Sequence, residues 1–332
     1  NLLGVSSICN PDYKYHLKKG DEVIVSALSW STTVWPLIQN KLIPVIVDID
    51  LDTLNISIEE VKKAINPKTK AIMPVHVYGN PCNMSELISI CKENNLVLIE
   101  DCCEALGAEY NNEPVGTLGS VGTFSFYFSH HITTLEGGIT VTDDDNLAEL
   151  MRIIRAHGWV RDMKNSKIYS DQFRDFDERF LFVNLGYNLR LTELQANFGL
   201  NQINKLDGIV NKRRNNTNMY KKKLTEFNNE FSFQQETKNS KSSCFGFPII
   251  LKNTSNVDLN NFTSFLNKNK IESRPIICGN IAKQPAMKKF PHITLGDLSN
   301  SNYVMQNSFS IGNHQNINEQ SIDYVASKIQ EF

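Results

Sequence analysis

From residue 22 to about residue 141 the chain alternates short β-branched runs with helical stretches, and this alternation restricts the fold more than any other feature. Val23-Ile24-Val25, Pro44-Val45-Ile46-Val47 and Leu96-Val97-Leu98-Ile99 are continuous apolar runs. Such runs, without every-other-residue polarity, mark strands covered on both faces. Between them, residues 57–65 and 83–93 read as helices, with Ser57 and Asn83 placed as N-caps. Strand–helix alternation of this kind predicts an α/β layer with a mainly parallel sheet. A helix-rich middle follows, with Thr192 as the cap of a helix over 193–201, and then a long polar helix around 212–227. Residues 232–332 mix strands and helices and predict a smaller α+β unit. At roughly 150 residues per domain, 332 residues correspond to two domains. We place them at 1–205 and 206–332.

Composition excludes several classes. The 34 basic and 36 acidic side chains leave a formal charge of −2, without the positive excess of a protein devoted to nucleic acid. No apolar run approaches the ~20 residues that span a bilayer, so no membrane partner is expected. The seven cysteines are irregularly spaced and include no Cys-x-x-Cys pair. Reduced, cytoplasmic thiols are therefore expected rather than a zinc site or a disulfide framework. Neither a GxGxxG nor a GxxxxGK[ST] loop is present, which removes the main support for dinucleotide and P-loop readings. Lys212-Arg213-Arg214 reads as an exposed helix face, and Asn215-Asn216 and Asn260-Asn261 as solvated polar faces.

Ligands of open α/β sheets gather at the carboxyl ends of the strands. Two segments suit that position. Leu98-Ile99-Glu100-Asp101-Cys102-Cys103-Glu104 brings acids to the end of a buried strand. Thr123-Phe124-Ser125-Phe126-Tyr127-Phe128-Ser129-His130-His131 emerges into hydroxyls and paired imidazoles before the Gly137-Gly138 turn. Taken singly, each residue has an ordinary alternative. Asp101 alone reads first as a turn cap, and Trp30 by default as a core residue. His130 and His131 are adjacent, so their side chains diverge, and no carboxylate-rich spacing supports a metal.

Taken in order, three motifs resemble the sugar aminotransferase/dehydratase family of fold-type-I pyridoxal-phosphate (PLP) enzymes, which act on nucleotide-linked keto sugars. They are Asp101-Cys-Cys-Glu-Ala-Leu-Gly, Ser125-Phe-Tyr-Phe-Ser-His130-His131-Ile-Thr-Thr-Leu-Glu-Gly-Gly and Gly186-Tyr-Asn-Leu-Arg-Leu-Thr-Glu-Leu-Gln195. The likeness extends to Gly279-Asn280-Ile-Ala-Lys-Gln-Pro285 and implies an aspartate-aminotransferase-like large domain with a smaller C-terminal domain. One departure matters most. Aminotransferases of the family carry, at the position of His130, the lysine that binds PLP covalently, whereas histidine there marks the 3-dehydratase branch. An imidazole forms no stable link to the cofactor's aldehyde. The resemblance therefore implies PLP or pyridoxamine phosphate (PMP) held non-covalently, with no iron–sulfur cluster, since no cysteine lies between Cys103 and Cys244.

The implied reaction removes the C3 hydroxyl of a nucleotide-linked 4-keto-6-deoxy sugar, GDP-linked by preference, with L-glutamate as amino donor, in deoxysugar and O-antigen synthesis. The implied roles are Asp101 against the pyridine nitrogen, Trp30 stacked on the ring, Glu104 beside the ring hydroxyl and Ser125 on the phosphate. His130 is the base, its ordinary pKa near 6.5 suiting neutral pH. Arg161 and Phe182 are implied substrate contacts, with a surface salt bridge and simple core packing as the respective alternatives. Asn188 is implied to touch the neighbouring subunit's cofactor phosphate, which makes a homodimer the functional unit. An aminotransferase in which His131 or a distant lysine substitutes, and an inactive homologue, are the competing readings. The chain opens at Asn1 inside a helical pattern without an initiator Met, and the family's Gly/Ser-rich phosphate turn is expected to precede it.

Overall fold

The computed structural model describes residues 1–332. Its centre is a seven-stranded sheet with the order 293–294, 43–47, 22–26, 69–73, 97–101, 121–125, 138–141. Every neighbouring pair is parallel except the last, where Gly138–Val141 runs antiparallel to Val121–Ser125. The apolar runs lie inside this sheet: Glu22–Ser26 is buried along its whole length. Helices Leu2–Ile8, Ser31–Gln39 and Asp145–Arg155 cover one face, contributing Val5, Leu37 and Ile154 to a shared core. Ile58–Ala64 and Met84–Asn94 cover the other through Val61, Leu87 and Ile90.

Local chemistry fixes where these helices begin. Ser57 accepts from the Glu60 amide and Asn83 from the Glu86 amide, as read from the sequence. Thr192 and Gln195 form a reciprocal capping box at the start of helix Glu193–Ile203. The long polar helix spans Leu206–Lys223, beginning earlier than the sequence indicates, and Thr225–Phe227 continues as a single 3-10 turn. A second, antiparallel sheet of Ser273–Arg274, Ser308–Gly312, Gly246–Leu251 and Phe231–Phe233 carries the C-terminal core.

Two surface expectations are corrected. Arg213 is 2% exposed and Asn216 fully buried, so the basic and Asn-rich stretch is not a solvated face. The residues alternate around a helix packed on the C-terminal sheet, which turns Arg213, Asn216 and Tyr220 inward and leaves Asn215 outside.

Candidate active site

Strand order reverses between Glu22–Ser26 and Thr69–Met73, the place where an open α/β sheet leaves a crevice at its carboxyl edge. The loop after Glu22–Ser26 brings Trp30, the turn after Thr69–Met73 brings Tyr78, and Val97–Asp101 ends on Asp101 itself. Trp30 is the N-cap of helix Ser31–Gln39 and is 54% exposed, so the core alternative for it is wrong.

Asp101 is 3% exposed. Its Oδ2 accepts from Thr33 Oγ1 and from Asn1 Nδ2, each at 2.7 Å, and its Oδ1 accepts from the Cys103 amide at 3.2 Å. All three donors are neutral, so a buried carboxylate stands without a cation. The bond to Cys103 is the turn cap foreseen from sequence, but the other two belong to no turn. Thr33 and Asn1 were not singled out as site residues. A Thr one helical turn inside a helix and a chain-leading Asn carry no signal of this kind, because only the fold brings them to Asp101.

Glu104 accepts from the Tyr78 amide at 2.8 Å. Burial, and then the Asp101 charge, push its carboxyl up to about 7. Tyr78 is held at φ 56° and its hydroxyl donates to Ser310 Oγ, which ties this turn to the C-terminal sheet. Behind it, His76 and Glu100 form a fully buried pair at 3.3 Å. The Cys82 amide donates to His76 Nδ1 at 3.0 Å, and Glu100 accepts from the amides of Gly116, Leu118 and Gly119. With both groups so engaged, the cluster with Cys102 braces the loop and leaves no free donor set for a metal.

Ser125 ends its strand, and its Oγ accepts from the Tyr127 amide at 3.2 Å. The turn that follows closes through His130 N–H to the Tyr127 carbonyl at 3.0 Å and sets the imidazole against Phe245, ring centres 5.1 Å apart. Burial pushes the His130 pKa down to about 4, opposed by the Asp101 carboxylate. The ring is thus neutral at pH 7, and its Nδ1 is buried without a hydrogen-bond partner. His131 is buried, and its Nε2 donates to the Ser243 carbonyl at 2.9 Å. The two rings do not point fully apart as the sequence suggests: both pack on Phe245, at 5.1 and 5.8 Å, because the turn at Tyr127–His130 breaks the strand pattern. No lysine amine hydrogen-bonds to Asp101, Glu104 or His130; those near acceptors engage residues elsewhere, such as Lys221 with the Gln234 carbonyl.

Arg161, Phe182 and Asn188 form a second group. Arg161 lies over the Trp159 ring at 5.0 Å, and Phe182 packs on the same indole at 5.8 Å. Arg161 makes no ion pair; its neighbour Asp162 pairs with Arg155. Phe182 is 55% exposed. Neither the salt-bridge nor the core alternative describes them. Asn188 is exposed and bridges Ala156. None of the three hydrogen-bonds to Asp101, Glu104 or His130 within the chain. In the sequence, helix Glu193–Ile203 follows them, and no residue of it is buried although it carries Leu194, Phe198, Leu200 and Ile203.

The first group matches the demands of a pyridoxal ring. Asp101 lacks the cation that a protonated pyridine nitrogen supplies, Trp30 offers a stacking face, and the partnerless His130 Nδ1 is available to a bound group.

Comparison with known proteins agrees with this geometry. The model of the DegT/DnrJ/EryC1/StrS aminotransferase family matches residues 13–330. The GDP-4-keto-6-deoxy-D-mannose 3-dehydratase of Escherichia coli O55:H7 is 42% identical over 315 residues, which are 94% of this chain and 80% of that protein. A crystal structure of GDP-4-keto-6-deoxymannose-3-dehydratase with a trapped PLP-glutamate geminal diamine has a TM-score of 0.90 at 40% identity, covering 98% of this chain and 84% of that one. A double variant of that enzyme, in which an adjacent serine and histidine become asparagine and lysine, has a TM-score of 0.93 at 40% identity, covering 99% and 86% of the two chains. The chain belongs to the DegT/DnrJ/EryC1/StrS aminotransferase family.

Proposed function

We propose that this protein is a PLP/PMP-dependent 3-dehydratase that removes the C3 hydroxyl of a GDP-linked 4-keto-6-deoxy sugar, with L-glutamate as amino donor. The observation that carries the reading is His130: by the family resemblance, a neutral imidazole stands where aminotransfer requires a covalent cofactor lysine, and no lysine amine hydrogen-bonds to Asp101, Glu104 or His130. The sequence holds a single Ser-His pair, Ser129-His130. The related 3-dehydratase has been varied at just such a pair.

When bound, the cofactor supplies an electron sink and, in its amine form, the nitrogen that condenses with the C4 ketone. The remaining work falls to side chains of this chain. Asp101 holds a proton on the ring nitrogen, Trp30 fixes the plane of the ring, and Ser125 takes part of the phosphate. Glu104, half protonated near neutral pH, donates to or accepts from the ring hydroxyl. His130 accepts a carbon-bound proton as the C3 hydroxyl departs. Without a lysine to reclaim the amine, the product hydrolyses to the 3-deoxy-4-keto sugar and ammonia. The oxygen lost from the sugar balances the oxygen gained as glutamate becomes 2-oxoglutarate and ammonia.

Arg161 and Phe182 serve the sugar nucleotide, and Phe182 and Asn188 act across a homodimer. Support for the dimer comes from helix Glu193–Ile203, whose apolar side chains Leu194, Phe198, Leu200 and Ile203 remain exposed in one chain. No helix is long and apolar enough to cross a membrane, and none of the seven cysteines is bridged, which supports a cytoplasmic place in O-antigen sugar synthesis. The test is to incubate the protein with PLP, L-glutamate and GDP-4-keto-6-deoxymannose and weigh the sugar nucleotide. Loss of one oxygen with the ketone kept, alongside free ammonia, supports the dehydratase. Gain of an amino group with every other oxygen retained makes it an aminotransferase.

A further inference from the structure

Arg213 carries a charge out of water without a counter-charge. It is 2% exposed and forms no ion pair, whereas its neighbour Arg214 pairs with Glu236. Its own partners are neutral: Nη1 donates to the Phe245 carbonyl at 2.7 Å and Nη2 to Gln315 Oε1 at 3.4 Å, while Nε has none. A guanidinium buried this way is costly, and a well-packed apolar residue would serve the helix better. The cost becomes intelligible at Phe245. The guanidinium carbon lies 5.9 Å from the centre of that ring, and the rings of His130 and His131 pack on the same phenyl at 5.1 and 5.8 Å. One apolar ring therefore separates an uncompensated cation from both imidazoles.

We propose that Arg213 is a positioning residue for His130, its buried positive charge keeping that imidazole neutral and proton-accepting further into the acid range than burial alone does. The groups facing His130 give such a charge something to oppose. Asp101, from the end of its strand, stabilises an imidazolium, and an active-site base beside a carboxylate is otherwise held protonated. Tyr127 meets the ring edge at 6.1 Å, and its backbone carbonyl also favours the imidazolium. His131 is itself neutral, kept so by burial and by Arg213. Glu104 lies by Asp101 and is about half discharged at neutral pH by burial. Arg213 is the one cation opposing Asp101 at this imidazole, and burial acts in the same direction. Burial lowers the guanidinium pKa only to about 10, so it remains charged throughout the working range.

The two centroid distances place the guanidinium carbon within about 11 Å of the imidazole centre. At an effective dielectric near 20, a unit charge at that separation moves a pKa by about one unit. Arg213→Gln keeps a donor for the Phe245 carbonyl and removes the charge; Arg213→Lys keeps both. Gln315→Glu leaves the core untouched and sets a carboxylate on the guanidinium in place. This inference rests on His130 being the base, but its test does not use activity: it reads carbethoxylation of His130 by diethylpyrocarbonate, located by peptide mass mapping, against pH. With a pKa of about 4, wild-type His130 loses about a tenth of its reactivity at pH 5 relative to pH 7. Arg213→Gln is expected to lose about half, Gln315→Glu to move in the same direction, and Arg213→Lys to follow the wild type. If Gln315→Glu and every folded Arg213 variant keep the wild-type profile, the charge does not act on His130 and the proposal falls. A missing dehydratase activity with the expected footprint would instead count against the reaction assigned above.

Discussion

Glu104→Gln isolates the most strongly displaced carboxyl in the crevice. Burial is the main cause and the Asp101 charge the second, together lifting it from 4.5 to about 7 against the Tyr78 N–H, which favours the ionised form. A group whose pKa is raised by folding contributes fully below its unfolded value and loses that contribution as pH climbs through its folded value. Glu104 thus destabilises the fold progressively between about pH 4.5 and 7. A displacement of this size corresponds to about 3 kcal/mol at pH 8. Glutamine retains the carbonyl oxygen that accepts from Tyr78 and does not titrate. Urea unfolding of both proteins without added cofactor is the assay. The variant is expected to gain little at pH 4.5, about 2 kcal/mol at pH 6 and about 3 kcal/mol at pH 8. Parallel stability curves across that range would show that the carboxyl ionises freely in the fold, and the argument from its burial would be wrong.

Three further outcomes follow from the same geometry. Trp30→Ala removes an indole already 54% exposed, so unfolding free energy is expected to move by no more than about 0.5 kcal/mol while PLP affinity in a fluorescence titration drops about tenfold. Unchanged affinity would remove Trp30 from the cofactor. His130→Lys is expected to abolish loss of the C3 oxygen and to permit a borohydride-trappable bond to PLP, whereas undiminished 3-deoxy product would refute the assignment of the base. Phe198→Asp places a charge on the unburied helix and is expected to convert a dimer to monomers in sedimentation velocity; a dimer that survives would place the interface elsewhere.

The large sheet is legible in the sequence because strands buried on both faces must be apolar at every position, and Val23-Ile24-Val25 and Pro44-Val45-Ile46-Val47 are. Capping is equally local, so Ser57, Asn83 and Thr192 are read directly. Helix Ser31–Gln39 is harder to read, since Thr32, Thr33 and Val34 favour strands and Pro36 sits inside it; packing on the sheet overrides both. The start of the long helix at Leu206 is obscured by Gly208, a residue that ordinarily weakens helices. The ordered motifs mark Asp101, Glu104, Ser125 and His130, but not Thr33, Asn1 or Arg213, whose importance arises only from contacts across 68, 100 and 32 positions of chain. A run of two arginines and a lysine has no internal sign of which member faces inward.

The charges of the crevice are arranged against the behaviour these groups have in water. Asp101 collects three neutral donors and Glu104 one, so negative charge is better supported on the carboxylate at the strand end, where we propose the ring nitrogen binds. That arrangement alone would compromise a nearby imidazole, because the carboxylate that protonates a heterocycle also protonates a base. The protein separates the two effects by position. His130 rests on Phe245, away from Asp101's donors, and is backed by burial and by the cation beyond that ring. The segment that supplies Phe245 comes from the C-terminal part of the chain and is tied to the site at Ser243, whose carbonyl accepts from His131 and whose Oγ donates to the Glu104 carbonyl. Phe245 and Arg213 thus bring the C-terminal part of the chain to His130, whereas the donors on Asp101 belong to residues 1–103. Loosening helix Leu206–Lys223 is therefore expected to act on His130 more than on Asp101.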